Sequence, residues 1–239
     1  MKQDDAVSAG TGSSGSGVTG FIPKDMLEIL VNGVFAFAMT LIVRNNFQIP
    51  ASIITDEVTY FAAYTGSIIN NGISFFFLFL IIAVFYILFF EIMGHNQVID
   101  RGTVVFTFAF LLSILFIPLT SLLYALSEEP VPYGVIFHAN VFISGILIYL
   151  LWRYISKAPV LCVPGIDVWT TRNLSLRLLL LPATAVVGFC LDSWEGSFSK
   201  VPAMVLYLIP VILFVYLSRD PQVSAEPEPA DEKTETTEP

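Results

Sequence analysis

Apolar positions in this chain run in long, nearly unbroken blocks separated by short polar loops. Six blocks stand out, about 26–43, 68–92, 104–126, 135–154, 174–191 and 201–217. A helix needs about 20 apolar residues to cross a hydrocarbon core of about 30 Å. The pattern therefore predicts an all-α, six-transmembrane-helix membrane protein, and an even number of crossings puts both termini on one side. Pro23 precedes the first block, where its fixed φ suits a helix start, and Asp25 is placed to cap it. Ser and Asn residues near Ser67 to Asn71 interrupt the pattern before the second block. Glu128, Glu129, Pro130 and Pro132 predict a tight, exposed turn from the third helix into the fourth.

Charge in the short loops sets the expected orientation, because cytoplasmic loops carry the excess of Lys and Arg. With cytoplasmic termini, Lys24, Arg101, Arg153, Lys157, Arg172, Arg177 and Arg219 fall inside, against Arg44 and Lys200 outside. The outer loops then hold Asp56, Glu57, Glu128, Glu129, Asp192 and Glu195, readable as a solvated surface or as a face that concentrates cations. Trp152, Trp169 and Trp194 sit near predicted membrane boundaries, as interfacial anchors do. No repeat relates the first three blocks to the last three, which gives an inverted-repeat transporter little support.

Composition agrees with the pattern and limits the chemistry. The 239 residues are 55% hydrophobic and only 13% charged, with a mean hydropathy of +0.76. The net charge of −9 belongs largely to 221–239, where six carboxylates face one lysine among Pro, Thr and Ala, a composition that predicts a disordered acidic tail over 219–239. Residues 1–23 read as a flexible Gly/Ser-rich leader without the apolar core of a signal peptide, leaving 24–218 as the transmembrane domain. Cys162 and Cys190 lack metal-ligand spacing and are expected as small core residues. No phosphate-cradling, zinc or nucleic-acid signature is present, so no cofactor, no metal and no nucleic-acid partner is expected. His95, Asn96, Asp100 and Arg101 cluster in one inner loop without a nucleophile and matching base, which argues for a capped loop rather than an enzyme. His138 and Asn140 in the fourth block are either a substrate-binding pair of a small-molecule transporter or interhelical hydrogen-bonding groups.

The first block, Met26 to Arg44, carries the most specific pattern. At helical spacing Gly33, Phe37, Thr40 and Arg44 share one stripe, with Asn32 and Ala36 on its edge. Two readings fit. A pore lining would use a hydrophobic constriction at Phe37 beside a hydroxyl at Thr40. Ordinary packing would use Gly33, Ala36 and Ala38 for close helix approach, with Thr40 bonded to its own backbone.

The run LEILVNGVFAFAMTLIV resembles the first helix of the transmembrane protein 175 family, endolysosomal potassium channels and their prokaryotic relatives, in which an arginine and Phe-Ser-Asp precede GVFAIAITLLVL. Glu28, Gly33, Val34, Phe35, Ala36, Ala38, Thr40, Leu41 and Val43 stand where that pattern expects them. FLIIAVF at Phe79 to Phe85 is similar to the family's second helix, and LLSILFIPLTSLL at Leu111 to Leu123 to its third, with Pro118 and Thr120 in place; the resemblance covers about residues 26–125. It implies a homotetramer in the plasma membrane of a prokaryote, conducting potassium or other monovalent cations through a central pore. The first helix would line that pore, with Phe37 at the constriction, Thr40 as the adjacent hydroxyl and Arg44 either at the outer mouth or turned to the headgroups. Leu30, Val31 and Asn32 replace Phe-Ser-Asp, leaving Asn32 as the remnant of the signature; Met26 replaces the arginine, Tyr86 a tryptophan, Phe89 and Phe90 a histidine pair, and Thr107 an asparagine. That coordinated loss of polar groups leaves open a non-conducting structural or interaction protein on the same scaffold.

Overall fold

The computed structural model describes residues 22–47, 59–126, 130–163, 166, 168–194 and 205–217. They form helices α1 (Lys24–Asn46), α2 (Thr59–Gly94), α3 (Arg101–Leu126), α4 (Pro130–Lys157), α5 (Val168–Trp194) and α6 (Leu208–Leu217). Among the described residues β-structure is confined to one isolated bridge between Asn96 and Cys162, which joins the α2–α3 and α4–α5 connections at one end of the bundle. Among the described residues five helices, α1 to α5, are long and apolar enough to cross a membrane. The leader, the acidic tail, the loop acids Asp56, Glu57, Glu128, Glu129 and Glu195, and Lys200 and Arg219 lie outside the described residues. Of the sixth predicted span, 205–217 is described, and α6 occupies ten residues of it, about 15 Å of helix.

Helix bounds overrun the apolar blocks because helical hydrogen bonding does not stop where the hydrocarbon does. The second helix begins at Thr59 and runs through Ser67 to Asn71 without interruption, and α4 takes Pro130 and Pro132 into its first turn, where the missing N–H groups would be unpaired anyway. Pro23, not Asp25, is the N-cap of α1, and no side chain caps it; Asp25 sits in the first turn, where a negative charge complements the helix dipole.

The helices pack as two overlapping groups. In the first, α1, α2 and α3 share an aromatic cluster: Phe35 meets Tyr86 edge-on at 5.2 Å and Phe110 at 6.1 Å, and Phe110 stacks on Phe89 at 5.9 Å. In the second, α4 packs most extensively against α3 and α5. Gly145 of α4 faces Pro182 of α5 so closely that a Cβ there would lie 2.5 Å from the proline Cδ. Trp152 is fully buried between α4 and α5 and donates its indole N–H to Ser175 at 3.1 Å, so it is a core residue and not an interfacial anchor. Trp169 is exposed. The cysteines are not core residues either, since Cys162 is half-buried and Cys190 exposed.

Candidate functional site: the open face of the first helix

Three contacts fix α1. At its start, Lys24 donates to the Met93 carbonyl at 2.6 Å and to that of Asn96 at 3.3 Å, tying it to the end of α2. At its far end, Asn45 donates to the carbonyl of Pro118 in α3 at 3.1 Å. Between them, Leu27, Val31, Phe35, Ala38 and Ile42 recur every three or four residues and are buried against α2 and α3.

The opposite side of α1 is open. Met26, Ile29, Leu30, Asn32, Gly33, Ala36, Phe37, Thr40, Val43 and Arg44 are all exposed, with Phe37 at 56%. A Cβ built at Gly33 meets nothing within 4 Å. Gly33, Phe37, Thr40 and Arg44 therefore share one exposed side, and Asn32 lies beside them. Two polar groups on this side already have partners within the chain. The Thr40 hydroxyl donates to the Ala36 carbonyl at 2.8 Å, and the Asn32 carbonyl oxygen accepts from the Tyr86 hydroxyl at 3.0 Å. Arg44 stands in the last turn, where a cation suits the dipole.

The positions at which the resemblance expected a polar network are aromatic or orphaned. Phe89 is buried, Phe90 packs on Tyr86 at 4.7 Å, and the hydroxyl of fully buried Thr107 has no hydrogen-bond partner among the described residues. A connected polar network exists elsewhere. His138 of α4 bonds through Nδ1 to the Tyr207 hydroxyl at 2.8 Å and through Nε2 to Asp192 of α5 at 3.1 Å, while Tyr124 of α3 donates to the other Asp192 oxygen at 3.3 Å. Sequence reasoning missed this carboxylate partner and placed Asp192 on a solvated outer face. Asn140 does not join His138 but donates to Thr120 at 3.4 Å. Although a hydroxyl, imidazole and carboxylate in series resemble a hydrolase relay, Tyr207 is 1% and His138 2% exposed, which closes the hydroxyl to a substrate.

At the end of the bundle where α1 begins, Asp100 caps α3 by accepting from the Thr103 amide at 2.8 Å and its hydroxyl at 2.7 Å, and it also accepts from Tyr154. Burial alone would raise the Asp100 pKa, but the bonds from Tyr154, Thr103 and Gly102 outweigh it and hold the carboxyl below its ordinary value. The predicted capped loop is thus the role Asp100 fills. Arg177, assigned by sequence to the inner side, is paired with Glu91 of α2 at 2.7 Å.

The family model described as endosomal/lysosomal potassium channel TMEM175 matches residues 26–118, the stretch that holds α1, α2 and most of α3. Over those residues the chain is similar to the TMEM175 family. The fold is also similar to the crystal structure of a lysosomal potassium-selective channel TMEM175 homolog from Chamaesiphon minutus, with a TM-score of 0.64 and 16% identity, covering 82% of this chain and 98% of that one. No curated protein matches the chain. The open side of α1 thus lies inside the segment that carries the TMEM175 similarity, and the His138 network lies beyond it.

Proposed function

We propose that the chain assembles as a homotetramer and passes monovalent cations, potassium foremost, through a central pore lined by Gly33, Phe37 and Thr40 of α1. The observation that carries this reading is the one-sidedness of α1: five residues seal it to its own chain, while a side bearing Gly33, Phe37 and Thr40 is left open for other copies. Similarity to a potassium-channel family supplies the ion class. Four copies of Phe37 form the hydrophobic constriction, Thr40 adds a hydroxyl next to it, and Asn32 contributes an amide at the edge of the wall. Arg44 sits towards the outer mouth if the termini are cytoplasmic, as the Lys and Arg distribution favours. The transmembrane domain, 24–218, is carried between the leader and the acidic tail in a prokaryotic plasma membrane.

Liposomes loaded with potassium test the proposal. Parent protein should release potassium above the rate of empty vesicles, Phe37→Ala should release it faster, and Thr40→Ala should change the preference among monovalent cations. Absence of flux from both parent and Phe37→Ala refutes conduction. A second reading, a non-conducting assembly on the same scaffold, is favoured by the inward spending of the Thr40 and Asn32 hydrogen bonds, which leaves the open face largely apolar. It predicts tetramers in detergent with no flux from any variant. A small-molecule transporter built on His138 and Asn140 has less support, because the two side chains engage different partners.

A further inference from the structure

The His138 network lies at the end of the bundle away from Lys24, where α3 and α5 finish, α4 starts and the chain enters α6. Its geometry dictates where the protons are. An ionised Asp192 only accepts, so the Nε2 facing it must carry the hydrogen. In a neutral ring Nδ1 is then the acceptor, and the Tyr207 hydroxyl must donate to it. Tyr124 donates to the second carboxylate oxygen, so Asp192 accepts from two sides.

We propose that this Tyr207–His138–Asp192 chain is a proton-operated clasp that seats α6, closed when His138 is neutral and loosened when the ring takes a second proton. The titratable groups facing the ring are Asp192 from α5, Tyr207 from the turn before α6, and Tyr124 from α3, which lies edge-on to it at 6.3 Å and reaches it through Asp192. Protonation keeps the Asp192 contact and turns it into an ion pair. On the other side it places an N–H against the Tyr207 oxygen, and the hydroxyl hydrogen must point elsewhere. Among the described residues the Tyr207 hydroxyl has no hydrogen-bond partner besides His138, and the neighbouring rings, His138 stacked at 5.9 Å and Phe137 at 6.1 Å, offer no other in-plane acceptor. Leu208, the next residue, begins α6, which packs on α5 and α2, so strain at Tyr207 acts directly on that helix. The space for the ring is built in, since a Cβ at Gly188 would lie 2.6 Å from His138 Cε1.

Hydrogen exchange of the full-length protein in nanodiscs tests the clasp, with rates corrected for the intrinsic pH dependence of amide exchange. Between about pH 8 and about pH 5, the range in which histidine ordinarily changes charge, protection of Leu208–Leu217 should fall about tenfold, as an orphaned buried hydroxyl implies. Tyr207→Phe, which deletes one oxygen, should show low protection at both pH values and no such fall. His138→Gln, which can still donate to Asp192 but takes no proton, should likewise remove the pH dependence. Unchanged protection of the parent across this range overturns the proposal, and so does a fall of parental size in Tyr207→Phe, whether or not the His138 variant folds.

Discussion

Gly145→Ala should destabilise the bundle even though alanine is the better helix former. The added Cβ would lie 2.5, 3.0 and 3.2 Å from Cδ, Cγ and Cβ of Pro182, whereas carbon pairs rest at about 3.5–4.0 Å. A proline ring is locked to its own backbone and has no rotamer by which to withdraw, so α4 and α5 must part by about 1 Å at this crossing. Two hydrogen bonds bracket the crossing, His138 to Asp192 on one side and Trp152 to Ser175 on the other, and parting the helices stretches both from 3.1 Å. Overpacking of this kind costs about 1–3 kcal/mol, against which the helix propensity of alanine returns about 1 kcal/mol. The net expectation is a loss of up to about 2 kcal/mol, or up to roughly 30-fold in the folded-to-unfolded ratio. Helix content followed by circular dichroism during denaturant titration of the detergent-solubilised protein measures it. Gly33→Ala is the internal control, because its Cβ meets nothing within 4 Å and only the propensity gain should remain. Equal or higher stability of Gly145→Ala would refute the close-approach argument.

Thr107→Val should stabilise by about 1 kcal/mol in the same titration, since it replaces a fully buried hydroxyl that has no partner among the described residues by a methyl of similar volume. Asp100→Asn should flatten the acid limb of stability. The folded-state pKa of Asp100 lies below its ordinary value of 3.8, so its contribution is complete above that value and disappears as pH falls through the lower folded one. Melting temperatures of parent and variant should therefore converge as pH is lowered through this region. Arg177→Met should cost on the order of 3 kcal/mol by stranding Glu91, whereas the double replacement with Glu91→Leu should recover most of the loss. An Arg177→Met variant as stable as the parent would remove the case for the ion pair.

Helix identity was legible in the sequence because apolar length alone decides it in a membrane, but faces were not. In α1, Leu27 and Val31 are buried while Ile29 and Leu30 are exposed, and nothing in their hydropathy separates them. The stripe of Gly33, Phe37, Thr40 and Arg44 could be grouped because helical spacing is fixed; its openness depends on where α2 and α3 pack. Asp192 was hidden from His138 by a separation of 54 residues. A signal did exist: an early histidine in the fourth block and a late aspartate in the fifth meet if those helices form an antiparallel hairpin. Trp152 misled because boundary position suggests an anchor, and only the packing of α4 on α5 reveals the burial and the Ser175 partner.

The placement of polar groups separates the molecule's two tasks. Around α1 the contacts are aromatic and aliphatic, with Asn32 to Tyr86 as the polar link between α1 and α2 in their middle stretches and Thr107 left unsatisfied among the described residues. Apolar packing resists separation but specifies rotation about the helix axis weakly, so the anchors at Lys24 and Asn45 set which side of α1 stays open. Directional bonds gather at the two ends of the bundle, around Asp100 and Lys24 at one and where α3, α4, α5 and α6 meet at the other, and there they fix helix ends rather than a lining. If four copies surround an axis through α1, the two regions differ in their sensitivity. Substitutions at Phe37 or Thr40 should alter flux with little change in unfolding, and substitutions at His138, Asp192 or Gly145 should alter unfolding first. A Phe37→Ala protein that unfolds as easily as one changed at Gly145 would show that the open face is instead a sealed packing surface.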